Sequence, residues 1–257
     1  MGVHVFDTMG TTVSLRLAGA AASASASVLG EVERAFRMLD ERFSLYRTDS
    51  EISLVARGEL RLTRASTDLR EAYAEALEWS VRTGGAFTPH RPDGVVDLSG
   101  TIKATAMDAS ARVLDSAGEG DWMLVAGGDI LTRGTLDGLP WRAGVVDPGD
   151  RSALLCAVEL TAGRPALATS GTAERGEHIW RAGAAGASGS RPRYRQVTVR
   201  AADIVTADVL ATALVAAGPE GCQELLHRFD VDVVTVDDDG RLTATPALQD
   251  AWGLTPA

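Results

Sequence analysis

Thr206-Ala207-Asp208-Val209-Leu210-Ala211-Thr212 sets a carboxylate and a hydroxyl four residues apart. On a helix that spacing stacks both on one face, about 200° around from Leu210. A carboxylate and a hydroxyl so placed offer two oxygens to one hard cation such as Mg²⁺. The structural alternative is that Thr206 caps the helix and Asp208 only complements its positive end.

Three further segments carry reactive or anion-binding groups. Asp97-Leu98-Ser99-Gly100-Thr101-Ile102-Lys103 reads as a small-residue turn leading into a helix, with a lysine at the junction. Free N–H groups at a helix start attract anions, and Lys103 adds a point charge for a phosphate. The alternative is an ordinary connection with an exposed lysine. Leu124-Val125-Ala126-Gly127-Gly128-Asp129 reads as a strand, a glycine turn and an acid. Gly127 and Gly128 allow close backbone approach or positive φ. Thr169-Ser170-Gly171-Thr172 precedes Glu177-His178. Hydroxyls near a histidine suggest a nucleophile and base, but without a G-x-S-x-G elbow hydrolase chemistry has little support. A lone histidine is also commonly a surface or capping residue.

Taken in order, these segments resemble the ApbE family, the FAD:protein FMN transferases. The resemblance rests on Met9-Gly10-Thr11, on Asp40 through Ser44 to Tyr46 with Ser50-Glu51-Ile52, and on Gly85-Ala86-Phe87. It continues through Asp97-Leu98-Ser99-Gly100 with Lys103, Ala106 and Asp108, then Gly127-Gly128-Asp129-Ile130 and Asp147-Pro148. Thr169-Ser170-Gly171 and Ala207-Asp208 with Ala211-Thr212 complete it. The resemblance implies an Mg²⁺-dependent enzyme that moves FMN from FAD to a Ser or Thr of an acceptor flavoprotein and releases AMP. It also implies roles. Met9, Ala86, Phe87, Thr88, Lys103, Gly127, Gly128, Thr169 and Ser170 would surround the flavin nucleotide. The Ala106 carbonyl, Asp208 and Thr212 would hold Mg²⁺, and His178 would be the general base.

Three departures fall on the flavin side. Thr88 replaces an aspartate, Ala104 replaces the glycine after the lysine, and Arg181-Ala182 replaces the Asp-Pro after His178. Two alternatives therefore stand beside the transferase: a non-catalytic or divergent flavin-nucleotide-binding protein, and an FAD pyrophosphatase.

The elements that must position these groups are read from periodicity. Strands are expected at Val3–Phe6, Thr12–Leu17, Trp122–Ala126, Trp141–Val146, Ala153–Leu160, Ala166–Thr169, Tyr194–Arg200 and Val231–Val236. Helices are expected from Val28 to Phe43, Thr67 to Arg82, Thr105 to Ala117, Ala207 to Ala217 and Pro219 to Phe229. Without regular βαβ alternation this is a mixed α/β (α+β) fold, expected as one domain over 1–257, with N- and C-terminal segments meeting at one nucleotide. The net charge of −10 disfavours nucleic acid and anionic lipid as partners. An acidic protein that takes an anionic dinucleotide must neutralise its phosphates locally. Cys156 and Cys222 have no metal-type spacing. The N-terminus lacks a signal-peptide pattern and no apolar run approaches a membrane span, so a cytoplasmic location is expected.

Overall fold

The computed structural model describes residues 2–19, 24–171 and 193–252. Strands β1 (Gly2–Thr8) and β2 (Thr11–Leu17) form a hairpin with Thr8 opposite Thr11. Its two-residue turn has φ of 50° at Met9 and 67° at Gly10. Positive φ at both positions is the type I′ geometry, whose twist matches that of the flanking strands.

Helices α1 (Ala26–Phe43), α2 (Glu51–Ala56) and α3 (Thr67–Arg82) follow. Each starts at a serine, Ser25, Ser50 or Ser66, whose hydroxyl accepts a backbone N–H of the first turn. Helix α4 (Ser99–Ser116) begins well before the expected Thr105. Its first turn, Ser-Gly-Thr, has poor helix propensity but buries Thr101 and Ile102, and burial overrides propensity there. Asp97 Oδ1 accepts the Ser99 N–H at 2.9 Å and marks the helix start.

Strands β3 (Trp122–Ala126), β4 (Asp129–Arg133), β7 (Ala166–Gly171), β8 (Tyr194–Ala201), β9 (Asp232–Asp237) and β10 (Leu242–Ala244) join the hairpin in one eight-stranded sheet. The order is β1-β2-β3-β4-β7-β8-β9-β10, and every neighbouring pair is antiparallel. Strands β5 (Trp141–Val146) and β6 (Leu154–Leu160) form a separate ribbon.

Alternation sorts side chains to the two sheet faces. Val13, Leu15, Trp122, Leu124, Ala166, Ala168, Val197 and Val199 join the larger core, with α1, α4 and helix α5 (Ile204–Arg228). Met123, Leu167 and Val234 point the other way, into a smaller core with Trp141, Val145, Val158 and Leu160 of the ribbon and Leu248 of α6 (Pro246–Ala251). The result is helices on one face of the sheet and the ribbon with α6 on the other, the expected mixed class.

Helix α5 breaks at Gly218 (φ 66°, ψ −173°), just before Pro219, so the two expected helices run end to end. Its length and mean hydropathy of 1.3 meet the requirement for crossing a membrane, contrary to the expectation that no run comes close. More than half of that stretch, 56%, is buried inside the protein, which marks a core helix.

Candidate functional site

A cleft of about 510 Å³ opens between the β1–β2 turn, the end of α1 and the start of α4. Met9, Leu39, Phe43 and Leu45 give it apolar walls, and Tyr46 sits at its rim, 89% exposed. Arg47, Arg91 and Lys103 add positive charge, with Ser99 from the first turn of α4. A flat aromatic ring fits the walls, and phosphates fit the cations. Asp40 also lines the cleft. Burial raises its carboxyl above the usual carboxylate range; Arg47 pulls it back and Glu41 pushes it further up.

Lys103 stands on the second turn of α4 rather than at the junction. Its ammonium lies 2.5 Å from Asp129 Oδ2, and the two side chains are 16% and 1% exposed. Asp129 opens β4, directly after Gly127 (φ 61°) and Gly128 (φ 112°). These angles turn the chain sharply enough to bring the carboxylate under α4. Asp129 Oδ1 also accepts the Thr169 N–H of β7 at 3.2 Å. The next residue, Ser170, has its hydroxyl 3.2 Å from Thr212 Oγ1 on α5. Contacts therefore run unbroken from the cleft through Lys103, Asp129 and Thr169-Ser170 to Thr212. Met9 of the hairpin lines the same cleft as Lys103, and Thr212 of α5 stands at the far end of these contacts.

Asp208 lies one turn before Thr212 and is 6% exposed. The residue that caps α5 is Asp203, not Thr206. Asp203 Oδ1 accepts the Thr206 N–H and Oδ2 the Thr206 hydroxyl, both at 2.7 Å. Asp208 is thus in the second turn, past the orphan N–H groups that a capping acid serves. A buried carboxylate outside the cap is the kind of group that pairs with charge or binds a cation. With Thr212 one turn on, it could offer a hard cation a carboxylate and a hydroxyl oxygen. Among the described residues no three His, Cys, Asp or Glu side chains gather as a metal cluster.

Several expected site residues do not line the cleft. The Ala106 carbonyl lies in the middle of α4 and accepts the Ser110 hydroxyl at 2.8 Å. Its helical N–H partner is the second donor to that oxygen. Phe87 is 3% exposed and packs on Gly100, where an added Cβ would lie 2.9 Å from the ring. It supports the start of α4 from the core and does not line the cleft. Thr88 Oγ1 accepts the His90 N–H at 3.2 Å, a local turn contact, and half-buried Ala86 packs against the main core. Gly127 and Gly128 are exposed beside the hairpin, where a Cβ on Gly127 would lie 2.6 Å from Thr11 Oγ1. Ala104, in place of a glycine, is fully buried among core side chains. His178 lies outside the described residues.

Some cleft residues had no role in the sequence reading. Asp40 and Tyr46 belonged to a recognised motif, yet nothing in their spacing showed that they face a cavity. Arg91 left no signal. Asp129 was visible as an acid after two glycines, but its lysine partner lies in another part of the chain.

The sequence pattern of the ApbE family matches residues 9–92 and 90–235. An FAD:protein FMN transferase from Escherichia coli (strain K12) is 29% identical over 161 residues, covering 58% of this chain and 44% of that protein. One from Vibrio cholerae serotype O1 is 30% identical over 197 residues, covering 71% of this chain and 54% of that protein. The matched stretch spans about half the length of these curated relatives. The fold is shared with solved structures along nearly their whole length. The Vibrio cholerae flavin transferase ApbE superposes with a TM-score of 0.73 at 24% identity, over 96% of this chain and 98% of that one. The apo Pseudomonas stutzeri flavinyl transferase ApbE gives 0.77 at 23% identity, over 99% and 97%. Pattern, order of segments and fold agree, and the chain belongs to the ApbE family.

Proposed function

We propose that this protein is an FAD:protein FMN transferase, moving FMN from FAD to a Ser or Thr of an acceptor flavoprotein and releasing AMP. The observation that carries this reading is the unbroken set of contacts from the cleft through Lys103, Asp129 and Thr169-Ser170 to Thr212. It links an apolar cleft and its lysine to Thr212, one member of the proposed oxygen donor pair. The names of the relatives and the family membership support the same reaction.

Each part then has a task. Met9, Leu39, Phe43 and Leu45 hold a ring of the dinucleotide. Lys103 binds the pyrophosphate, which the net charge of −10 would otherwise repel. Asp208 and Thr212 would hold Mg²⁺, which when bound neutralises charge on the phosphoryl group under attack. Ser170, beside the Thr212 hydroxyl, keeps that oxygen oriented. We assign His178 as the base that takes the proton of the acceptor hydroxyl, from its place in the family pattern. The bond from acceptor oxygen to the FMN phosphorus forms as the phosphoanhydride to AMP breaks. With water as acceptor the same displacement is FAD hydrolysis.

Incubation of the pure protein with FAD and Mg²⁺, with and without a flavin-acceptor domain, tests the proposal. The transferase reading expects AMP release coupled to protein-bound FMN. AMP and free FMN without an acceptor would indicate the pyrophosphatase, and FAD binding without AMP the non-catalytic binder.

A further inference from the structure

We propose that Asp129 is the positioning residue that holds the Lys103 ammonium at the inner end of the cleft, an assignment that deepens the transferase reading above. Lys103 is the chain's single lysine; every other Lys or Arg position is arginine. The cleft already holds two arginines, Arg47 and Arg91, so positive charge alone does not account for a lysine here. An ammonium is a compact point charge, whereas a guanidinium is a broad planar fork. With Lys103 only 16% exposed and Asp129 1% exposed, there is a place for a compact head group against one carboxylate oxygen.

The carboxylate is itself fixed. Its other oxygen accepts the Thr169 N–H, and its backbone starts β4 after two glycines at positive φ. Asp129 is therefore tied to β4 and β7 and cannot follow the lysine, so the lysine must come to it. A free lysine carries about 2 kcal/mol of rotamer entropy. Holding it before the nucleotide arrives removes that cost from binding, which is preorganisation.

Asp129→Asn isolates the effect. The asparagine Oδ1 still accepts the Thr169 N–H, while its NH₂ faces the ammonium donor to donor. Because Lys103 and the N-terminus are the chain's only primary amines, acetylation followed by intact mass and peptide mapping reads the lysine directly, without any nucleotide. Lys103 in the parent protein should react slowly, and at least about tenfold faster in Asp129→Asn, the loss of one charge-assisted hydrogen bond. An unchanged rate overturns the proposal.

FAD titration by flavin fluorescence forms the second arm. Asp129→Asn and Lys103→Arg should each weaken binding about as much as Lys103→Met. Asp129→Asn should add nothing in the Lys103→Met background, because the two act as one unit. Additive losses would mean that Asp129 acts independently of the lysine and would also overturn it. The Lys103→Met/Asp129→Leu pair removes both charges at once and keeps the comparison open if Asp129→Asn is too unstable to purify. It must bind FAD no worse than Lys103→Met. Faster acetylation in Asp129→Asn, with no FAD binding by the parent protein, would leave the positioning role standing and sink the functional reading instead.

Discussion

Two aspartates near the start of α5 separate structure from function. Asp203 caps the helix, and Asp203→Ala should lower stability by about 0.5–2 kcal/mol while leaving FAD affinity unchanged. Asp208 is buried one turn further on, on the side that reaches Thr212 and Ser170. Asp208→Ala should abolish Mg²⁺-dependent AMP release and weaken FAD binding, with thermal melts showing a folded protein. Parent-like AMP release from Asp208→Ala would sink the cation role. That Asp208 and Thr212 stand one turn apart on a helix was legible in the sequence because helical spacing is a local property. The capping residue was misread because Thr206 and Asp203 both have capping chemistry, and only backbone angles choose between them. The directions of the Phe87 ring and the Ala106 carbonyl were not legible for a related reason: a motif gives the order of residues, but not which way a side chain or carbonyl points.

At the scale of elements, the β1–β2 hairpin bears on both stability and binding. Met9 holds φ of 50°, a region that suits Asn or Gly, and it lines the cleft. A non-glycine residue there costs on the order of 1 kcal/mol. Met9→Asn would make the turn Asn-Gly, the preferred type I′ pair. It should raise the melting temperature by about 2–4 °C and weaken FAD binding. A stability gain with unchanged affinity would show that the methionine side chain is not used. Gly127 tests the neighbouring turn. Gly127→Ala combines φ of 61° with a Cβ 2.6 Å from Thr11 Oγ1, so about 1–3 kcal/mol of stability should be lost in denaturant unfolding. Most elements were readable from period: α3 and β3 have the expected ends. Those missed, α2, β4, β10 and α6, are only three to six residues long. So short a segment shows less than two turns or a few alternations, too little for periodicity to register.

For the whole molecule, three weakly acidic groups are held neutral by the fold. Burial pushes the Cys156 thiol up to about 11 from 9.0 and raises Cys222, whose bond to Tyr194 pulls partly back. Burial also raises Tyr194, aided by Cys222. Each ionises more readily in the unfolded chain, so their contribution is complete below about pH 9 and is lost as pH rises through the folded values. Melting temperatures should hold from pH 7 to 8.5 and fall steadily from pH 9 to 11. Cys156→Ser should flatten that fall, and an unchanged slope would remove Cys156 from the account.

The pairing of β2 with β3, Leu17 opposite Trp122, brackets all of α1 to α4. The cleft is built from the hairpin before that span and from helices inside it, and its lysine is tied to β4 beyond it. No stretch of nascent chain holds a working cleft until β3 and β4 have left the ribosome and closed onto β2. Closure over so long a loop is entropically slow. Recovery of FAD binding during refolding should therefore lag behind recovery of helix signal. The ligand would report the last tertiary step rather than the first, and a cut between β2 and β3 would be most damaging before that step.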